Sequence, residues 1–377
     1  MLAPEPVLPA RSGLPLRVLH LVRALAAATD TSVTALGSGV PPEHDEEFDL
    51  RHVPGTWSRT RAVVRATHQP WQVAQVASPA MSAVARDGAW DTVQAHTLAL
   101  LGPALCSGRP VVLDAHDAVS EVAATMARAD TRRGMRPLWR FERLKSIRAE
   151  RRAARSAAAV SVPSQSEAEL FESLGARTLV VPNGVAVDDI PHAPPPEGKG
   201  VLFAGYFRWR PNVEAALELI EDVFPRIRAR LDGATLRLVG KDAVPGMTER
   251  AGPGVEIVGG VEEMLPELRR AAVTVLPIRA GGGTRLKALE ALAAGVPVVA
   301  TPFAVHGLGL RDGEHALLAD RPADLAEQAV RVIGDRALAA ELSQRGRAHV
   351  EARFDWPAVA APLVELHHDL AGISCRA

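Results

Sequence analysis

The stretch Val273-Thr-Val-Leu-Pro-Ile-Arg-Ala-Gly-Gly-Gly-Thr-Arg-Leu-Lys-Ala-Leu-Glu290, continued by Ala291-Leu-Ala-Ala-Gly-Val-Pro-Val-Val-Ala300, reads as strand, glycine loop, helix, strand. Gly281, Gly282 and Gly283 let the backbone approach a ligand closely. They precede a helix N-terminus, where free N–H groups and the helix dipole favour an anion. Thr284 can cap that helix or meet a phosphate oxygen. Leu286, Leu289 and Leu292 supply a buried face, while Lys287 and Glu290, three apart, share another. One basic and one acidic group behind a glycine anion site suit a phosphorylated, hydroxyl-bearing ligand. The plainer reading is a glycine turn with a surface ion pair. Neither Gly-x-Gly-x-x-Gly nor Gly-Lys-Ser/Thr spacing is present.

The same alternation extends in both directions. Downstream of residue 200 it gives strands at Val201–Ala204, Thr235–Val239, Val255–Val258, Val273–Pro277 and Pro297–Ala300. Helices are expected at Asn212–Leu231, Leu265–Ala272, Thr284–Ala294, Pro322–Gly334, Ala337–Phe354 and Trp356 to about Ala371. Upstream, Leu16–Ala28 has helical spacing and Ser32–Leu36 reads as a strand. Asp91–Gln94, Pro110–Asp114, Ala157–Val162 and Leu179–Val181 are short apolar runs typical of buried parallel strands. Ser164-Gln-Ser-Glu167 is a capping-box helix start. His192-Ala-Pro-Pro-Pro-Glu-Gly-Lys-Gly200 lacks periodicity and reads as a linker. The expected fold is α/β, with two doubly wound parallel-sheet domains facing across a cleft. The boundaries are 1–191, a linker at 192–200, 201–355, and a terminal helix in 356–377. Only Met1–Ala3 could serve as the usual opening strand, so that strand is either vestigial or starts upstream of Met1.

The chain has 377 residues, 47% hydrophobic and 23% charged, which fits two globular domains and excludes disorder. Its two cysteines, Cys106 and Cys375, give no disulfide framework or cysteine zinc site. A net charge of -1 argues against a nucleic-acid partner. No run spans a membrane and no secretory signal is visible, so a cytoplasmic protein is expected.

The 273–300 stretch resembles the retaining GT-B glycosyltransferases of the GT4-like family. It is most similar to the bacterial branch marked by Gly-Gly-Gly-Thr-Arg-Leu-Lys-x-Leu-Glu-Ala. Other segments fall in the family's order: Pro4–Arg17 with Ser12-Gly13, Leu113-Asp-Ala-His-Asp117, Val181-Pro-Asn-Gly-Val185, Phe203-Ala-Gly through Pro211-Asn212, and Phe354-Asp-Trp356. The resemblance implies a sugar transfer from a nucleoside-diphosphate donor to a glycan, lipid-linked or small-molecule acceptor. It implies retention of configuration and neither metal nor other cofactor.

It also implies roles. Glu290 would bind the nucleotide ribose, as the second Glu of the family's Glu-x7-Glu motif. The first Glu falls on Gly282, so backbone N–H groups of Gly281–Thr284 would take its place at the donor sugar. Gly13 would lie in the loop contacting donor phosphate. Arg208 and Lys287 would stabilise the diphosphate leaving group, with Arg210 competing for the same role. His116 would sit at the reacting sugar; His96, also at a strand end, and His306 are weaker candidates. Asp188-Asp189 is a weak alternative for a metal. From Arg128 to Arg155 there are eleven basic and three acidic residues, interspersed with Leu138, Trp139, Phe141, Leu144 and Ile147. This suits an amphipathic basic helix that reaches an anionic membrane, or a solvated helix whose apolar residues face the core. An epimerase or phosphorylase of the same fold, and a non-catalytic sugar receptor, are the rival readings.

Overall fold

The computed structural model describes residues 1–8, 13–37, 48–54, 66–74, 76, 78–130, 134–280 and 286–372. The chain divides into two compact units. The first runs from Met1 to Asn183 and includes the last helix, Trp356–Ala371. The second runs from Gly184 to Ala280 and resumes through Asp355.

The first unit holds a seven-stranded parallel sheet. Its strands are β1 (Leu2–Ala3), β2 (Ser32–Gly37), β3 (Asp49–Pro54), β4 (Val93–His96), β5 (Val111–Asp114), β6 (Ala159–Val162) and β7 (Thr178–Val180), in the order β3-β2-β1-β4-β5-β6-β7. The opening strand is present as two residues inside the sheet, between β2 and β4, with Leu2 opposite Thr34 on one side and Ala95 on the other. Both sheet faces are buried. Ala3, Val33 and Ala35 pack with Val18 and Val22 of helix Gly13–Ala26, while Leu2, Leu36, Leu113 and Val160 form the other core with Met81 and Phe171. Such two-sided burial is why these strands read as short apolar runs. Strand β3 lies at the edge, is half polar, and gives no such run.

The second unit holds a six-stranded sheet, also parallel: β8 (Gly200–Ala204), β9 (Thr235–Val239), β10 (Val255–Val258), β11 (Val273–Leu276), β12 (Val298–Ala300) and β13 (Leu317–Leu318), in the order β10-β9-β8-β11-β12-β13. The single helix expected over Asn212–Leu231 is instead Arg210–Glu218 and Phe224–Arg230, joined by a π-turn at Leu219–Val223. Pro225 has no N–H for the Glu221 carbonyl, and the Phe224 N–H reaches back to Leu219. The proline-rich stretch after His192 lies against this unit. The His192 ring meets Ser343 at 3.0 Å and the Ala193 N–H donates to the Ala294 carbonyl. Gly295 has φ 83°, and a Cβ there would strike the Ala193 carbonyl.

Candidate functional site

In the first unit, register builds a polar cluster. His96, Asp114 and Ser161 end or nearly end three adjacent strands and lie opposite one another, His96 against Asp114 and Asp114 against Ser161. The carboxyl ends of parallel strands are where α/β sheets bind ligands. Asp114 Oδ1 accepts from Arg17 Nη2 at 2.7 Å and Ser161 Oγ at 2.8 Å. Its Oδ2 accepts from Arg17 Nε at 3.0 Å and lies 3.0 Å from His96 Nδ1 and 3.1 Å from His116 Nε2. Arg17 also donates to Asn183 Oδ1 and the Pro182 carbonyl, each at 3.1 Å. Arg17, His96 and Asp114 are fully buried and His116 is 8% exposed.

The electrostatics follow from that geometry. Burial opposes ionisation of Asp114, but the Arg17 guanidinium, helped by His116 and His96, holds its carboxyl well below the usual range. Burial pulls His96 down to about 4, against the pull of Asp114, so it is neutral. His116 Nδ1 is buried and has no hydrogen-bond partner among the described residues. His116 lines a cavity of about 340 Å³ together with Glu5, Leu14, Thr97, Leu98 and Val119. Thr97 holds φ 75° and ψ 152°, a region β-branched residues avoid at a cost of about 1–3 kcal/mol.

Among the described residues, His96, Asp114 and His116 are the one group whose donor atoms lie close enough for a metal ion. Those atoms are spent on one another and on Arg17. A dication at Asp114 would also face the guanidinium. Asp188 and Asp189 are exposed in a turn and form no ligand cluster among the described residues.

In the second unit, β8 and β9 are followed directly by Gly205 and Gly240, where the two backbones meet. A Cβ on Gly240 would overlap the Gly205 carbonyl. The loop that follows β8 carries Arg208, whose exposed guanidinium reaches Asp242 at 3.4 Å. Arg210 opens the next helix and pairs with Glu214 one turn on, at 2.6 Å. Lys287 lies in the second turn-position of helix Leu286–Ala293. Its Nζ donates to Asn212 Oδ1 at 2.7 Å and lies 4.8 Å from the centre of the Phe203 ring. Asn212 Nδ2 donates to the Tyr206 carbonyl, so one amide ties Lys287 to the Arg208 loop. Glu290 is partly exposed yet densely enough surrounded that burial pushes its carboxyl up to about 7, against the pull of Lys287. Arg279, just before the glycines, grips Glu218 through two hydrogen bonds of 3.0 and 2.9 Å and Asp320 through a third of 2.7 Å.

The structure thus brings Lys287 and Glu290 onto one helix face and ties Lys287 to the Arg208 loop, while His116 falls in the first unit's polar cluster. Gly281, Gly282, Gly283 and Thr284 lie outside the described residues, as does Ser12. Gly13 is the first residue of helix Gly13–Ala26. His306 is exposed beyond Phe303–Val305. Sequence reasoning gave no role to Arg17, Asn212 or Arg279. Arg17 left a signal: it sits on the helical stripe Leu14–Arg17–Leu21, where a charge is out of place unless paired.

Two family models match, one described as Glycosyltransferase Family 4 over residues 11–189 and one as Glycosyl transferases group 1 over residues 198–335. The phosphatidyl-myo-inositol mannosyltransferase of Mycobacterium tuberculosis is 30% identical over 222 residues, 55% of this chain and 58% of that protein. The Mycobacterium leprae protein of the same name is 30% identical over 213 residues, covering 53% and 56%. The chain therefore spans little more than half the length of these curated relatives. Among solved structures, sucrose-phosphate synthase from Thermosynechococcus elongatus superposes with a TM-score of 0.74 at 21% identity, over 99% of both chains. Anabaena HepE, in complex with UDP and glucose, gives 0.69 at 16% identity over 97% and 98%. These likenesses show the two-domain GT-B fold.

Proposed function

Because this chain is a GT4-like glycosyltransferase of the GT-B fold, we propose that it moves a sugar from a nucleoside-diphosphate donor to a hydroxyl acceptor. The observation that carries this reading is Lys287, held by Asn212 at the start of a helix that presents Glu290 on the same face. As the bond from sugar to diphosphate breaks, negative charge grows on the leaving oxygen. A fixed ammonium, the Arg208 guanidinium and a helix N-terminus oppose that growth without rearranging. Glu290 accepts hydrogen bonds from the ribose diol once ionised. His116 lines the first unit's cavity, where a hydroxyl would lie, and its buried Nδ1 has no hydrogen-bond partner among the described residues. We read the transfer as retaining and as needing no metal, since the leaving group already has its cations. HepE, a structural neighbour, carries UDP in its own structure, which supports a nucleotide-sugar donor.

Nucleoside diphosphate release from UDP-, GDP- and dTDP-sugars tests the reading. One of them should be consumed by the wild type and spared by Glu290→Ala. Conversion of a sugar nucleotide to its epimer without an acceptor would instead make the chain an epimerase.

The acceptor reads as lipid-borne. Helix Met135–Ser156 buries Ser146, Ala153 and Ala154 and leaves Leu138, Phe141 and Leu144 at 56, 48 and 55% exposure. Arg136, Arg140, Arg148, Arg151, Arg152 and Arg155 are exposed on the same helix. An apolar strip flanked by arginines suits an anionic bilayer surface, each cation contributing about 1 kcal/mol there. No helix among the described residues is long and apolar enough to cross a membrane. The mycobacterial relatives are named for a phosphatidyl-inositol acceptor, which supports the same direction. Sedimentation with phosphatidylserine vesicles should be lost in Leu138→Ser/Phe141→Ser/Leu144→Ser. No binding by the wild type would remove the lipid reading.

A further inference from the structure

The polar cluster at His116 does not stop at His96. Gln94 Nε2 lies 3.3 Å from His96 Nε2, and Gln94 Oε1 lies 2.9 Å from His367 Nε2. His367 Nδ1 lies 2.8 Å from Thr92 Oγ1. Gln94 and His96 belong to β4, and His367 to the terminal helix Trp356–Ala371 of the same unit. Gln94 and His367 are 1 and 6% exposed, so water cannot substitute freely for either of them.

The direction of every bond in this line is set from one end. Asp114 is ionised and can only accept, so His96 Nδ1 must carry its proton. His96, neutral, then has a bare lone pair on Nε2, which only the NH2 of Gln94 can satisfy. That turns Gln94 Oε1 toward His367 Nε2–H and leaves His367 Nδ1 to accept from the Thr92 hydroxyl. The tautomers are assigned from these contacts, and they are mutually consistent over the whole line. Burial pulls His367 down to about 4, so it too carries one proton only.

We propose that Gln94 and His367 are positioning residues for the transfer site, locking His96 as the neutral Nδ1–H tautomer so that Asp114 serves His116. The amide of Gln94 presents a donor to His96 Nε2 and so offers a second proton on His96 no acceptor. With His96 barred from becoming a cation, the charge of Asp114 not consumed by Arg17 supports His116 instead. His116 Nε2–H is thereby pinned to Asp114, and the buried Nδ1 keeps its lone pair. The groups facing this pair are Arg17, Asp114, Ser161 and Gln94, with Glu5 and Asp117 in the cavity wall. The ligand group such a nitrogen takes is a donor: a hydroxyl of the sugar or of the acceptor.

The inference rests on the reading of His116 as part of the transfer site, and the two can fail separately. Long-range nitrogen–proton NMR of the full chain labelled with nitrogen-15 histidine reads the tautomers without any turnover. The wild type should show His96 protonated on Nδ1 alone, His367 on Nε2 alone and His116 on Nε2 alone at pH 7.5. Gln94→Glu should place an acceptor at His96 Nε2 and yield a doubly protonated His96. His367→Gln, which keeps an N–H for Gln94, should retain the wild-type His96 tautomer, whereas His367→Leu should not. In the transfer assay, Gln94→Glu should move the acid limb of kcat/KM by at least one pH unit toward acid, because a cationic His96 competes for Asp114. A neutral His96 in Gln94→Glu, or His96 protonated on Nε2 in the wild type, overturns the proposal. So does an unmoved limb in an enzyme that transfers sugar.

Discussion

Replacing Arg17 by Met tests whether the ion pair with Asp114 organises the first unit. Arg17 and Asp114 are fully buried, and the guanidinium supplies two of the hydrogen bonds to the carboxylate, at 2.7 and 3.0 Å. Removing one partner of such a pair strands the other charge, at about 3–5 kcal/mol. The lost donors to Asn183 and Pro182 add about 1 kcal/mol each when their acceptors stay dry. For a unit of this size, about 2–4 °C accompanies each kcal/mol, so the first unit's melting transition should fall by roughly 10–28 °C. The pH dependence separates charge from packing. In the wild type, the Asp114 contribution is present above its unfolded pKa and is lost only as pH falls through its depressed folded value. In Arg17→Met, burial, the largest effect, is opposed only by His116 and His96 and raises the folded value above the unfolded one. The penalty is then full at pH 8 and shrinks toward pH 5 as the carboxyl takes up its proton. Arg17→Met/Asp114→Asn should regain at least half of the loss at pH 8. Differential scanning calorimetry at both pH values reads all of this. A gap between wild type and Arg17→Met that is equal at pH 5 and pH 8, with no gain in the double variant, would refute the charge argument.

Glu290 gives a prediction of opposite sign. A carboxyl raised to about 7 in the fold disfavours the folded state increasingly as pH rises from its unfolded value through 7. Glu290→Gln should therefore stabilise the unliganded protein at pH 8 by up to about 2–3 kcal/mol and leave it unchanged at pH 4. Because a ribose diol meets the ionised form, nucleotide binding by calorimetry should tighten between pH 6 and pH 8, and lose that trend in Glu290→Gln. Lys287→Met should lower kcat by roughly 10²–10³, as loss of one charge-stabilising donor does. Asn212→Ala frees Lys287 from its tether and should cost about tenfold, read as kcat rather than KM. Transfer should persist in EDTA; abolition with recovery on adding Mn²⁺ would overturn the metal-free reading.

The parts of this molecule legible in its sequence are those decided within about thirty residues. The strand–glycine–helix–strand order of 273–300 is local, and β11, helix Leu286–Ala293 and β12 follow it. The box at Ser164 is local too: Ser164 Oγ accepts the Glu167 N–H and lies 2.8 Å from Glu167 Oε2, while Glu167 Oε1 accepts the Ala118 N–H. The first unit's cluster was legible only at His96 and His116, because Arg17 reaches Asp114, and His367 reaches Gln94, only through sheet register and helix packing. The basic helix shows a different limit. Leu138, Phe141 and Leu144 recur at the spacing of a core stripe, yet the face that packs inward is the one bearing Ser146, Ala153 and Ala154. Small side chains permit close helix approach there, and Lys145 goes in with them, paired with the half-buried Glu142 at 2.6 Å. Periodicity marks a face but does not say which of two faces is covered.

The central claim is that the second unit binds a sugar nucleotide through Lys287 and Glu290 for transfer to an acceptor. Titration calorimetry with UDP, GDP and dTDP, on wild type, Lys287→Met and Glu290→Ala, tests it most directly. The account expects one nucleotide to bind the wild type and to bind each variant at least tenfold more weakly. Binding of none of the three, or equal affinity in all three proteins, would contradict it.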